Sequence, residues 1–414
     1  MRNFQNQQLA QLLVFSRDNV PFYKDRLANA LTADGEVNWQ RWHEIPILTR
    51  EDLLTHREQM LAPHLPPGHG SVDDHLGSGT TGKPVTSRHN SLVPLVSQAA
   101  LFRAFDWHQV DYNKISCSID GDDPKLGAWP QGQSLGVWGP HWMAAKLSGQ
   151  HLRLNRNASP EEIAEFLSRN SVSYLTGLPS RMYSIARATE RLGLNTKLDG
   201  IMTLSESPSE FIRDDCWRIF GAKIVSTYSS KEVYNIAHQC SDGLQYHVNS
   251  EMVLVEVVDD DDRPCAQGQR GRAIVTSFFN TAQPFIRYDL GDQIIMGEKC
   301  SCGRNLPVIE KISGRTPHLF QFPGGRTVSL SLRSQFLKII AAQSWQIAQT
   351  GPLHLEVRYI PDHSSSKPDF DSFTELLRLR TDERVEISYK VIKTLPLTTS
   401  GKFIEFVSEL PPDA

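Results

Sequence analysis

The sequence predicts an α/β protein in which a large domain over residues 1–314 is followed by a small α+β domain over 315–414, and three observations carry that prediction. From the glycine-rich stretch at 77–84 to about residue 230, short β-rich runs alternate with helical stretches, the pattern of a parallel sheet flanked by helices. Between Glu251 and Val275 the alternation gives way to the runs Met252–Val258 and Gly271–Thr276, on either side of an aspartate-rich turn at 259–262, which reads as an antiparallel hairpin or meander. After Gly314-Arg315 a fresh set of strands and helices begins and ends in a glycine-bearing loop at Ser400-Gly401-Lys402.

In chain order, the first 65 residues form a helical entrance segment. Gln7 to Asn19 is helix-compatible, and Thr49 caps a helix whose first turn carries Glu51 and Asp52. Further on, Pro160 to Arg169 reads as a helix, Val172-Ser173-Tyr174-Leu175 as a strand, and Ser180 to Arg191 as a helix. No internal repeat is present. With 414 residues, 39% hydrophobic and 22% charged, the chain is ordinary globular material, large enough for two or three compact units. A net charge of −4 and the lack of a long basic cluster argue against nucleic acid and anionic membrane as partners. Leu12-Leu13-Val14-Phe15 is too short for a signal core and no later run could span a bilayer, so a cytoplasmic location is expected; oligomeric state is not legible.

The stretch Gly77-Ser78-Gly79-Thr80-Thr81-Gly82-Lys83-Pro84 concentrates backbone amides, two threonine hydroxyls and an ammonium, a composition suited to polyphosphate. It satisfies the glycine-x4-glycine-lysine core of a P-loop. The next position, where such loops need a Ser or Thr on magnesium, is Pro84, which argues against a P-loop kinase or GTPase. A Gly/Ser/Thr surface turn is the bland reading, and the motifs that follow downstream weigh against it.

Four such motifs follow in order: Thr227-Tyr228-Ser229-Ser230-Lys231-Glu232, Ile286-Arg287-Tyr288-Asp289-Leu290-Gly291-Asp292, Ile312-Ser313-Gly314-Arg315, and Leu395-Pro396-Leu397-Thr398-Thr399-Ser400-Gly401-Lys402. With the glycine loop they resemble the adenylate-forming ligases over nearly the whole chain. Asn19-Val20-Pro21-Phe22-Tyr23, Pro46-Ile47-Leu48-Thr49-Arg50 and Pro284-Phe285-Ile286-Arg287-Tyr288 resemble in particular the phenylacetate-CoA ligase and capsule-biosynthesis branch. The resemblance implies an AMP-forming carboxylate ligase whose small C-terminal domain is mobile. It implies ATP on Ser78, Gly79, Thr80, Thr81, Gly82 and Lys83, adenine against Tyr228 with Ser229 and Ser230, and Ser205, Glu206 and Ser207 at the strand end beside the base. It further implies ribose on Asp292 rather than Asp289, Arg315 at the hinge reaching ribose or phosphate, magnesium on Glu232, and Lys402 as the transition-state cation. Ser229 stands where the family usually has glycine, and Pro317 where relatives often carry an aspartate or lysine hinge residue. In such a reaction a carboxylate attacks the α-phosphorus and pyrophosphate leaves. Catalysis then rests on alignment and charge stabilisation by Thr81, Glu232 and Lys402 rather than on proton transfer.

The resemblance also places the acid pocket near Trp138, His141 and Trp142. There an aromatic wall would suit an aryl or arylalkyl carboxylate, the alternative being that the tryptophans are core. Acyl-CoA formation, with CoA as a further cofactor, is the leading outcome; an amine, hydroxyl or carrier-protein acceptor and a noncatalytic nucleotide binder are the alternatives. Independently of ATP, Cys240-x6-His247 and Cys300-Ser301-Cys302 supply three thiols and an imidazole in two short knuckles, the donor set of a closed structural zinc site. Cys117, Cys216 and Cys265 stand singly and read as small core or surface residues.

Overall fold

The structure, a computed structural model, describes residues 2–76, 85–121, 123, 125–315, 320–328, 330, 332, 336, 339–362, 367–394, 396 and 405–410, with the backbone alone for residues 2, 142, 314, 315 and 343. Its elements run α1 (Arg2–Asn19), α2 (Arg50–Thr55), β1 (Val72–Leu76), β2 (Thr86–Asn90), α3 (Leu92–Trp107), β3 (Ser116–Asp120), β4 (Gln133–Val137) and β5 (Gln150–Asn155). There follow α4 (Pro160–Arg169), β6 (Tyr174–Gly177), α5 (Pro179–Arg191), β7 (Gly200–Leu204), α6 (Glu210–Phe220), β8 (Ile224–Ser230), β9 (Tyr234–Gln239), β10 (Tyr246–Val248), β11 (Val253–Val258), β12 (Arg270–Ser277), β13 (Tyr288–Met296) and β14 (Val308–Arg315). The C-terminal part adds β15 (Phe320–Phe322), β16 (Arg326–Val328), β17 (Ala342–Gly351), β18 (His354–Pro361), α7 (Phe370–Arg380), β19 (Glu386–Val391) and β20 (Phe406–Ser408). Contacts divide the chain into two compact units, each made from two separated stretches: Met1–Val110 with Thr227–Ile312, and Asp111–Ser226 with Ser313–Ala414.

In the first unit, Thr49, the expected cap of α2, closes a capping box with Asp52. β1 and β2, which flank the glycine-rich stretch, pair antiparallel from Leu76 with Thr86 to Val72 with Asn90. The strands from β8 onward form an antiparallel array in the order β11-β12-β13-β14-β10-β9-β8. The Met252–Thr276 hairpin is present as β11 against β12, Val253 opposite Ser277 and Val258 opposite Arg272. Its apolar face packs in a core with Leu48, Tyr228, Phe285 and Tyr288, while Leu9, Leu13 and Leu27 of the entrance segment bury against Phe278 and Ile286.

Arg287 fixes that entrance segment. Only 1% exposed and in the left-handed region at φ 51°, it donates from Nη1 to the carbonyls of His43 (2.9 Å) and Ile45 (2.6 Å), and its Nε lies 3.3 Å from Glu256. Burial raises the Glu256 carboxyl, and the Arg287 charge opposes that rise.

The second unit holds the parallel sheet that the alternating pattern predicts. β7, β6, β3 and β5 run parallel, with β4 antiparallel at the edge. The connections from β5 to β6, from β6 to β7 and from β7 to β8 are helices: α4 begins on a Ser159 and Glu162 capping box, α5 has Pro179 in its first turn, and α6 ends on Gly221 at φ 71°. The expected strand at Val172–Leu175 is found two residues later as β6, because Val172 closes the turn after α4 through a hydrogen bond to Leu167. The C-terminal part forms a four-stranded sheet in the order β19-β18-β17-β20 with α7, and Trp345, Phe320 and Phe373 share one apolar core with Tyr183, Phe211 and Phe220 of α5 and α6.

Candidate functional site

Strand β8 and the turn after it carry the first constellation. A bulge between Tyr228 and Ser229 shifts the register against β9, and Tyr228 is 8% exposed. Its hydroxyl donates to Asp292 Oδ2 at 2.8 Å, bringing together two of the residues expected around the nucleoside. Asp289, three residues earlier on β13, is otherwise engaged: its Oδ2 accepts from Arg272 Nη1 (2.6 Å) and its Oδ1 from the Gly291 amide (2.7 Å). Asp289 is thus tied to Arg272 and to the turn at Gly291, while Asp292 meets Tyr228. Ser230 Oγ accepts from the Val233 amide (3.2 Å), closing the turn in which Glu232 is 8% exposed. Among the described residues no ion pair ties Glu232. Tyr234 leaves the turn at φ 61°, a conformation costly for a bulky side chain.

Beneath β1 and β2 lies a buried polar network. His89 is flanked by Ser87 Oγ (3.0 Å) and Asn280 Nδ2 (3.1 Å), with the rings of His75 and Tyr234 at 5.3 and 5.0 Å between centroids. Burial, followed by the neighbouring His75, holds the His89 imidazole down to about 4, so it stays neutral at physiological pH. Gln283 and Asn280 bind the Arg88 main chain, at 2.8 and 2.9 Å.

In the second unit, Ser205 and Glu206 stand just past the carboxyl end of β7, where ligands of open α/β sheets are found. Ser205 has φ 69°, and Glu206 Oε2 accepts from the Ser180 amide at 3.1 Å in the first turn of α5. Ser207 follows in the same loop. The aromatic wall is not brought there. Trp138 Nε1 donates to the Lys114 carbonyl (2.8 Å) just before β3, and its ring lies 5.5 Å from Tyr174, the first residue of β6, and 5.1 Å from Tyr112. Because β3, β6 and β7 are parallel, Trp138 sits at their amino ends, opposite Ser205 and Glu206. His141 opens the short turn that follows and is exposed; of Trp142 only the backbone is described. The sequence shows aromatic residues near the sheet but not the end at which the chain re-enters it, which the Gly149 amide bonding to the Tyr112 carbonyl decides.

Ser78, Gly79, Thr80, Thr81, Gly82 and Lys83, the hinge residue Pro317 and the catalytic candidate Lys402 lie outside the described residues, as does the Arg315 side chain.

The third constellation gathers both knuckles. Ligand atoms of Cys240, His247, Cys300 and Cys302 all lie within 4.8 Å of one another. Cys240 follows β9 and His247 lies on β10; the tight loop between them, closed by the Cys240 amide on the Gln245 carbonyl (2.8 Å), brings the pair together. Cys240 Sγ is 3.6 Å from Cys300 Sγ, and Cys302 Sγ is 3.2 Å from His247 Nε2. Tetrahedral zinc with ordinary bond lengths needs separations of about 3.8 and about 3.6 Å, so these two pairs fit the ion with shifts of a few tenths of an ångström. Donors surround the sulfurs: the Asp242 amide to Cys240 (3.4 Å), the Cys302 amide to Cys300 (3.5 Å), and Gln245 Nε2 to Cys300 (2.8 Å). Arg304 Nη1 reaches Cys240 Sγ at 3.8 Å while its guanidinium lies over Trp107, whose ring meets His247 edge-on at 5.6 Å. Burial pushes the Cys240 thiol up to about 11, and burial with the Arg304 charge lowers His247.

No protein-family profile and no curated protein matches the sequence. Solved structures do match the fold. The 2-hydroxyisobutyryl-CoA ligase in its postadenylation state aligns with a TM-score of 0.76 and 17% identity, over 98% of this chain and 89% of that one. The anthranilate CoA ligase AuaEII in complex with anthranoyl-AMP aligns with a TM-score of 0.57 and 12% identity, over 88% of this chain and 73% of that one. The o-succinylbenzoate CoA synthetase MenE from Bacillus subtilis, in complex with its acyl-adenylate, aligns with a TM-score of 0.53 and 12% identity over 80% and 67%. The chain thus has the mixed α/β fold of adenylate-forming enzymes.

Proposed function

We propose that the protein is an AMP-forming ligase that activates a carboxylic acid with ATP and magnesium and passes the acyl group to CoA. The observation that carries this reading is the Tyr228–Asp292 hydrogen bond beside the Glu232 turn, in a chain with the fold of solved acyl-CoA ligases. In this reading Asp292 holds the ribose hydroxyls, Tyr228 orients both Asp292 and the base, and Glu232 holds magnesium. Ser205, Glu206 and Ser207 border the base, and Thr81, Arg315 and Lys402 meet the phosphates, the last carried by the C-terminal domain from residue 315. Magnesium, when bound, neutralises phosphate charge as pyrophosphate departs. The branch containing phenylacetate-CoA ligases remains the one we favour, on the residues at 19–23 and 284–288.

An aryl acid loses its main support, because Trp138 packs at the amino ends of the parallel strands. The acid pocket belongs instead at the carboxyl ends of β3, β6 and β7. Among the described residues no helix is long and apolar enough to cross a membrane. We place the protein in the cytoplasm, where the four-donor cluster of Cys240, His247, Cys300 and Cys302 stays reduced and holds structural zinc. Four protein ligands leave no position for water, so the ion would tie the β9–β10 hairpin to the turn after β13 and take no part in the chemistry.

Acid-dependent exchange of labelled pyrophosphate into ATP, over a panel of aliphatic and aromatic acids, tests the reading. Exchange with at least one acid, abolished in Lys402→Ala, supports it. Folded protein that exchanges with none refutes it. Product mass spectrometry with CoA or with amines then identifies the acceptor.

A further inference from the structure

Two of the three thiols in the four-donor cluster are placed to react with each other. Cys240 Sγ and Cys300 Sγ lie 3.6 Å apart, although 60 positions separate them in the chain. The third thiol is engaged elsewhere, with Cys302 Sγ 3.2 Å from His247 Nε2. The reactive pair is asymmetric. Cys240 is 2% exposed while Cys300 is half-buried, so a small oxidant reaches Cys300 and leaves Cys240 as the partner waiting behind it. Gln245 Nε2 donates to Cys300 Sγ at 2.8 Å, and the Asp242 amide donates to Cys240 Sγ at 3.4 Å, so both sulfurs sit among donors that support negative charge.

The two cysteines also join separate parts of the first unit. Cys240 closes β9, and Cys300 lies in the turn after β13. A bond between their sulfurs would hold those parts together as a shared ion does, and would close a long loop of chain.

We propose that Cys240 and Cys300 form an oxidation site at which a peroxide converts this tie from a metal-held to a covalent one. The Cys300 thiolate attacks one oxygen of hydrogen peroxide, giving a sulfenic acid and releasing hydroxide. The Cys240 thiolate then attacks the Cys300 sulfur, the disulfide forms, and a second hydroxide leaves. The two sulfurs give up two electrons, the peroxide takes them, and two protons from solvent turn the hydroxides into water. Only Cys302 and His247 then remain as donors, half of a closed zinc site, so the ion departs. The zinc release rests on the reading of the cluster as a metal site; the disulfide needs only the contact between the two sulfurs.

Treatment of the reduced, zinc-loaded full chain with hydrogen peroxide tests it, with released zinc read by a chromogenic chelator and disulfides mapped by mass spectrometry of non-reduced peptides. The expected result is zinc loss in proportion to a predominant Cys240–Cys300 disulfide, and a melting temperature that stops responding to chelator until dithiothreitol is added. Cys302→Ser, which keeps both sulfurs, should form the same disulfide faster than the zinc-loaded wild type. A main product of Cys300–Cys302 or Cys240–Cys302, or sulfinic acid on Cys300 without a crosslink, overturns the inference. Thiols and zinc that survive peroxide sufficient to oxidise free cysteine overturn it too, and leave the metal site standing. Wild-type chain that is isolated without zinc and still forms the Cys240–Cys300 disulfide removes the metal and supports the oxidation site.

Discussion

Replacing Cys302 with serine tests the zinc reading at its most demanding point, because that residue joins a thiolate to the imidazole of His247 at 3.2 Å. Three thiolates and a dication leave one net negative charge, which Arg304 faces from 3.8 Å, so the site is balanced only while all four donors hold the metal. An ion bound to the native state at a hundred times its dissociation constant stabilises by about 2.7 kcal/mol. In a unit of this size roughly 2–4 °C of melting temperature corresponds to each kcal/mol, so losing the ion should lower the first unfolding transition by about 5–10 °C. Native mass spectrometry should show a single zinc per wild-type chain and none in Cys302→Ser. Scanning calorimetry should show a chelator lowering wild type to the variant and leaving the variant unmoved. Cys265→Ser, at a half-buried thiol outside the cluster, should keep its zinc. Background zinc in wild type grown with ample metal, or full zinc in Cys302→Ser, would refute the reasoning.

Three further outcomes are expected. Burial lifts the Glu405 carboxyl from 4.5 to about 8, against a hydrogen bond from Trp345 (3.0 Å). The folded chain therefore holds a proton the unfolded chain has released, and stability should fall as pH rises from about 4.5 to about 8. Melting curves of Glu405→Gln should lack that component of the decline, and a parallel pH profile for variant and wild type would disprove it. Arg287→Met strands Glu256 and two carbonyls, and should cost about 3–5 kcal/mol in denaturant unfolding, most of it recovered in the double variant with Glu256→Leu. A single variant of near wild-type stability would contradict the role of Arg287 as a tie. Trp138→Leu should lower stability by about 1–3 kcal/mol through lost packing on Tyr112 and Tyr174 while leaving the ranking of acids in the exchange assay unchanged. A reordered acid preference would return Trp138 to the substrate pocket.

Local chemistry made much of this protein readable in one dimension. The Thr49 cap, the helices α4 and α5 and the β11–β12 hairpin depend on neighbours a few residues away, and the sequence states them almost to the residue. Likewise, the spacing of Cys240, His247, Cys300 and Cys302 named a donor set that two adjacent strand connections then assemble. Contacts between residues far apart in sequence could not be read this way. That Arg272 engages Asp289 and Tyr228 engages Asp292 is visible only in the folded chain. For Trp138 the sequence leaves pocket wall and core as alternatives, because it does not show at which end of the sheet the ring lies. Residue order thus determined the elements and the kinds of group available, since propensity, capping and ligand spacing act over short range. Tertiary structure alone decided which groups are free to bind, because a side chain's availability depends on partners that only folding brings within hydrogen-bonding distance.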